Sequence, residues 1–129
     1  MDLTLWNDIT KNDYSEFTSL KNGAKIALLL PNTDNLIVLE KIDGRVLIHS
    51  DHREEFDFPF AQIAFKFSEY AFDKLNETKS FSTLLFLAKK EEIGIMSFVN
   101  ENELTRYNFN KFLKKFGYEI GSNCSCGCC

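Results

Sequence analysis

Four cysteines close this chain as Cys124-Ser-Cys126-Gly-Cys128-Cys129, and the 123 residues before them contain none. Cysteines used only for packing scatter through a core, so a terminal cluster points to thiol chemistry. Each Cys-x-Cys or Cys-Cys pair brings thiolates within reach of one soft ion, Zn or Cu(I). A fold-making zinc site separates its ligand pairs by a dozen or more residues, so that a loop can close around the metal. These four sulfurs are too compressed for that. They suggest a tail that carries a metal or a modification, not a structural centre.

Two resemblances sharpen the modification reading. The terminal Cys128-Cys129 resembles the end of Rab-type small GTPases, which implies prenylation. Lys111, Lys114 and Lys115 would then add attraction to an anionic membrane. No P-loop and no Cys-aliphatic-aliphatic-X ending accompanies it. The run Asn123–Cys129 is also similar to the Cys/Ser-rich cores of precursor peptides, which implies thioether or azole rings with a cut at Gly121-Ser122. The bland alternative is an end without a role, or an appended thiol handle, since Gly-Ser is a common joining sequence. Residues 121–129 offer no apolar side chain other than the cysteines, and they are expected to project from the domain without regular structure.

A second cluster lies at His49-Ser-Asp51-His52, followed by Glu54, Glu55 and Asp57. Two imidazoles and a carboxylate are a metal or general-base combination. On a strand, however, positions 49 and 52 point to opposite faces. The cluster therefore reads as a solvated acidic loop, and Asp51, Glu54, Glu55 and Asp57 as a docking surface for a basic protein partner. No serine sits in a nucleophile elbow, and the tail cysteines have no fixed histidine. No catalytic residue is assigned, no cofactor is expected beyond a tail-bound Zn or Cu(I), and the expectation is a protein that is not an enzyme.

The elements that must position these groups follow from pattern and punctuation. With 129 residues, 44% of them hydrophobic, the chain can bury one core without staples. Asp13-Tyr-Ser-Glu16 has the form of a capping box. Ile26–Leu30 is a continuous apolar run suited to a strand buried on both faces. Leu36–Ile42 and Arg45–Ser50 flank Asp43-Gly44, which supplies the positive φ values of a type I′ hairpin turn. Pro59 in a first turn, with Asp57 as N-cap, opens an expected main helix to Asn76 with Phe60, Ile63, Ala64, Phe67, Ala71 and Leu75 on its core face. Phe58, Phe65 and Phe72 recur every seven residues on another face of that helix. They form either a stripe covered by another layer or an exposed partner site. Phe81–Ala88 and Ile93–Val99 read as strands, and Asn100 with Glu103 caps a last helix closed by Gly117.

The expected fold is α+β. It is a five-stranded, antiparallel-rich sheet with helices packed on it, in the order α-β-β-β-α-β-β-α, over a single domain 1–120 followed by the tail. That element order resembles profilin-like and roadblock-type domains; no function is carried over from it. The net charge of −4 argues against a nucleic-acid binder. The opening residues lack a basic n-region and an apolar run, so a cytosolic location is expected. The function these readings support is a small protein-binding module of the immunity-protein type. The rival is a precursor or carrier protein whose business end is Cys124, Cys126, Cys128 and Cys129.

Overall fold

The computed structural model describes residues 4–55 and 61–118. Asp57, Phe58 and the cysteine tail lie outside the described residues. The chain runs α1 (Thr4–Asn12), a 3-10 turn at Tyr14–Phe17, β1 (Lys25–Leu29), β2 (Asn35–Ile42), β3 (Arg45–His52) and a second 3-10 turn at Arg53–Glu55. Next come β4 (Ile63–Phe67), α2 (Glu69–Thr78), α3 (Phe81–Lys89), β5 (Ile93–Ser97), α4 (Glu101–Arg106) and α5 (Phe109–Lys114). The five strands form one sheet in the order β3-β2-β1-β4-β5. Only β1 and β4 pair in parallel, and the other three neighbours are antiparallel. The fold is α+β with a mixed, mostly antiparallel sheet.

Period-two alternation sorts the strand residues between the two faces. Ile26, Leu28, Ile37, Leu39, Ile63, Phe65, Phe67 and Ile93 join the main core, to which every described α-helix contributes. Ala27, Leu36, Val38 and Ala64 form a second, smaller cluster with Ala61 on the opposite face, and no described helix adds to it. Among the described residues the helical layer is thus on one side only. Its centre is aromatic: Phe81 lies 5.3 Å from Phe17, 6.1 Å from Phe112 and 5.6 Å from Phe116, ring centre to ring centre. Phe116 in turn meets Phe65 of the sheet at 5.1 Å. Tilted and edge-on pairs at these distances add to the burial of each ring.

The Asp43-Gly44 hairpin forms as its residues dictate, with φ of +49° and +76° at the two turn positions, and Asn35–Ile42 pairs with Arg45–His52. Ile26, Ala27 and Leu28 are buried on both faces. Asn100 caps α4 by accepting the Glu103 amide.

Other expectations are corrected. No helix covers residues 63–67. That stretch is β4, and the helix that follows starts only after Ser68, whose hydroxyl accepts the Ala71 amide at 3.1 Å. Ile63, Phe65 and Phe67 are strand alternates that face the core, although the same positions also fit helical spacing when read with Phe60 and Ala71. Phe65 is 2% exposed and Phe72 is half-buried against the main core. The heptad stripe on one helix does not exist, and Phe65 cannot serve as an exposed contact. Conversely Phe81–Ala88, expected as a strand, lies in α3. Its buried residues Phe81, Leu84 and Leu87 recur every three positions, which a strand cannot place on one face. The last helix is broken at Asn108, which adopts a left-handed φ of +67°. The order that suggested profilin-like and roadblock-type domains is therefore not the order observed.

The Asp13-Glu16 pair does not close on itself. The Asp13 side chain makes no cap bond to its own turn and instead accepts the amide of Phe81, at the start of α3, at 3.0 Å. Glu16 pairs with Lys115 at 3.1 Å. Both residues staple the first segment to later helices.

Candidate functional site: the outer edge of β3 and its acidic end

β3 is a terminal strand of the sheet and, with β2, its longest. In a two-residue hairpin the residues flanking the turn form a hydrogen-bonded pair, and the ladder then alternates. Arg45, Leu47, His49 and Asp51 therefore direct their backbone groups to β2. Val46, Ile48 and Ser50 turn their N–H and C=O groups outward. Among the described residues no strand pairs with that outer edge. The side chains of Val46 and Ile48 pack partly onto the main core, while Ser50 is exposed.

The two ends of this edge differ in charge. At its start the edge faces α1 across an open cleft of about 550 Å³, lined by Asn7, Thr10, Lys11, Tyr14, Arg45 and Val46. The Tyr14 hydroxyl donates to the Gly44 carbonyl and ties the turn to the first segment. Neither Lys11 nor Arg45 belongs to an ion pair among the described residues. At its far end stand Asp51, Glu54 and Glu55, all exposed.

Asp34 joins that acidic end. It lines a cleft of about 390 Å³ with His52, Arg53 and Glu54, and its carbonyl accepts the Arg53 amide at 2.8 Å. The signal for Asp34 was available in the hairpin: carrying the register from Asp43-Gly44 to the strand ends sets Asn35 opposite His52. Asp34 and Glu54 thus share one cleft with Arg53.

The histidines separate as strand geometry requires. The Nε2 atom of His49 lies 2.9 Å from Oε1 of Glu40 on the helix-free face, and His52 points the other way. Asp51 accepts the amide of His52. Among the described residues no three metal-ligating side chains converge. The titratable group with a displaced pKa is Lys41, held below its ordinary value by burial. It is 5% exposed, and its ammonium donates to the carbonyls of Phe17 at 3.0 Å and Leu20 at 2.8 Å, with the Tyr14 ring alongside. Lys41 thus braces the turn beneath β3. Among the described residues no helix is long and apolar enough to cross a membrane.

No family model matches the sequence, and neither does any curated protein. Among solved structures, one titled "UbiJ-SCP2 Ubiquinone synthesis protein" aligns with 81% of this chain and 76% of its own length, at 11% identity and a TM-score of 0.45. A likeness that slight carries no argument about function.

Proposed function

We propose that this protein is a docking module that takes an extended segment of a partner protein along the outer edge of β3. One observation carries the reading: a strand of eight residues stands at the sheet edge with the backbone groups of Val46, Ile48 and Ser50 turned outward. Strand addition to such an edge gives affinity through main-chain hydrogen bonds and specificity through flanking side chains. At about 0.5–1.5 kcal/mol net for each bond, six backbone groups supply roughly 3–9 kcal/mol before ordering is subtracted. That suits a reversible contact.

Charge orients the segment. Its cationic part lies at Asp34, Asp51, Glu54 and Glu55, and its carboxylates lie toward Lys11 and Arg45. Asp57 and Phe58 adjoin the acidic end in sequence and are included in the proposed surface. Neutralisation of a toxin by an immunity protein is a special case of this docking. The rival reading places the activity in the tail cysteines, and loss of activity on deleting residues 121–129 would favour it.

The test is a titration with a synthetic peptide of alternating Lys and Val, followed by amide hydrogen exchange. Protection is expected at Val46, Ile48 and Ser50 on binding. Ser50→Pro removes an outward amide without touching the β2 ladder, a position where proline is tolerated in an edge strand, and it should abolish binding. Glu54→Lys with Glu55→Lys should weaken binding and reduce its salt dependence. Unchanged binding by the Ser50→Pro protein would refute the edge.

A further inference from the structure

At the end of the sheet where the parallel strands β1 and β4 finish, the surface is concave. A groove of about 490 Å³ is lined there by Leu29 at the end of β1, Leu30, Pro31 and Asn32 just after it, Lys66 and Phe67 of β4, Met96 of β5 and Arg53 from the turn after β3. The register explains the composition. Leu29 stands beside Lys66 in the β1–β4 pairing, and Lys66 stands beside Gly94 in β5. Gly94 puts no side chain next to Lys66; a Cβ added there would lie 3.9 Å from the Lys66 Cβ, in ordinary contact. The groove stays open at that point.

We propose that this groove binds an amphiphilic anion, a molecule with an apolar body and a carboxylate or phosphate head. Two features of the lining argue for it together. The walls are apolar and incompletely covered: Leu29, Leu30 and Pro31 are half-buried, and Met96 is 37% exposed. The polar part is cationic, from Lys66 and Arg53, both exposed and neither in an ion pair among the described residues. No carboxylate is among the described lining residues. The side-chain amide of the lining residue Asn32 donates to the Glu69 carboxylate. A neutral apolar ligand would leave the Lys66 ammonium without a counter-charge, whereas Arg53 also borders Asp34 and Glu54 in the adjoining cleft. A small hydrophilic anion would leave the leucines, proline and methionine facing water. An anion with an apolar body satisfies both, and the volume falls within the usual range for small-molecule sites. Carboxylate and phosphate heads share the chemistry that Lys66 and Arg53 recognise, and arginine donates to either in a two-point contact. Arg53 borders both this groove and the acidic cleft at the end of β3, but Lys66 belongs to the groove alone, so a Lys66 variant tests this assignment apart from the docking edge.

The experiment is a titration of the full chain with decanoate below its micelle concentration, read by backbone amide shifts, with decyl phosphate, decanol and acetate alongside. Saturable shifts are expected at Leu30, Lys66, Gly94 and Met96 with decanoate or decyl phosphate, the tighter of the two identifying the head. Decanol should bind about tenfold more weakly or worse, and acetate should give no saturable shift. Lys66→Glu, which leaves the acidic end of β3 untouched, should lower decanoate affinity by about tenfold or more with an unchanged circular dichroism spectrum. Met96→Asp serves as a second variant that attacks the apolar wall and should weaken both ligands. Absent or displaced shifts, equal binding of decanol, equal binding of acetate, or indifference to charge reversal would each overturn the proposal.

Discussion

Replacing Lys41 with Met gives the sharpest test of how the first segment is held beneath the hairpin. The Lys41 ammonium donates to the Phe17 and Leu20 carbonyls. The Phe17 carbonyl also accepts the Leu20 amide at 3.2 Å, whereas the Leu20 carbonyl accepts from the Lys41 ammonium. Methionine fills a similar volume, removes the desolvated charge and leaves the Leu20 carbonyl without that donor. A buried group stripped of its partner costs about 1–3 kcal/mol. Relief of the desolvation penalty offsets part of the lost charge-assisted bonds, so we expect a net loss near the middle of that range. With a urea slope of about 1–3 kcal/mol/M, the midpoint should fall by roughly 1 M.

The pH dependence gives an independent sign. Burial lowers the folded-state pKa of Lys41 below its ordinary 10.5, so between the two values the unfolded chain holds more protons than the folded one. Stability from this group therefore rises with pH through that window. The Met variant lacks this term, and the gap between the two proteins should widen as pH increases toward 10.5. Urea unfolding of both proteins from pH 7 to 10 measures it. A neutral or stabilising substitution at pH 7, or a gap that narrows with pH, would refute the reasoning.

Two further substitutions probe the same scaffold. Asp13→Ala removes the acceptor for the Phe81 amide and should destabilise by about 0.5–2 kcal/mol, as expected for a lost helix cap, with Asp13→Asn largely retaining stability in the same thermal melt. Gly23→Ala should destabilise by more than about 1 kcal/mol, because φ is +95° and the added Cβ would lie 3.0 Å from Cε1 of Tyr107; a melting temperature at or above that of the parent would contradict this.

The parts of the fold that sequence reading recovers are those whose cause is local. Asp43-Gly44 carries its own turn geometry, Asn100 finds its acceptor role three residues on, and Ile26–Leu28 is apolar without interruption. Misread elements are short apolar stretches in which two periods compete. Ile63, Phe65 and Phe67 alternate, yet Phe60, Ile63, Ala64, Phe67 and Ala71 also fit a helix. Phe81–Ala88 is so apolar that the three-residue spacing of Phe81, Leu84 and Leu87 is hard to see. Asp13 looked like a local cap because nothing in sequence announces an amide 68 positions away.

The candidate sites divide in the same way. Asp51, Glu54 and Glu55 stand out as a charge cluster, and Asp34 follows from the hairpin register. That β3 is an edge depends on where β1 and β4 pair, a non-local fact. The groove draws on three strands and a turn, so Leu29, Lys66, Met96 and Arg53 carry no common motif.

Amide hydrogen exchange along β3 in the free protein tests the docking edge most directly. If the outer edge is open, Val46, Ile48 and Ser50 exchange quickly while Leu47, His49 and Asp51, bonded to β2, exchange slowly. The alternating amides should then become uniformly slow when the Lys-Val peptide is bound. Uniform protection of Val46 through Asp51 in the free protein would show that the edge is already occupied and would contradict the account.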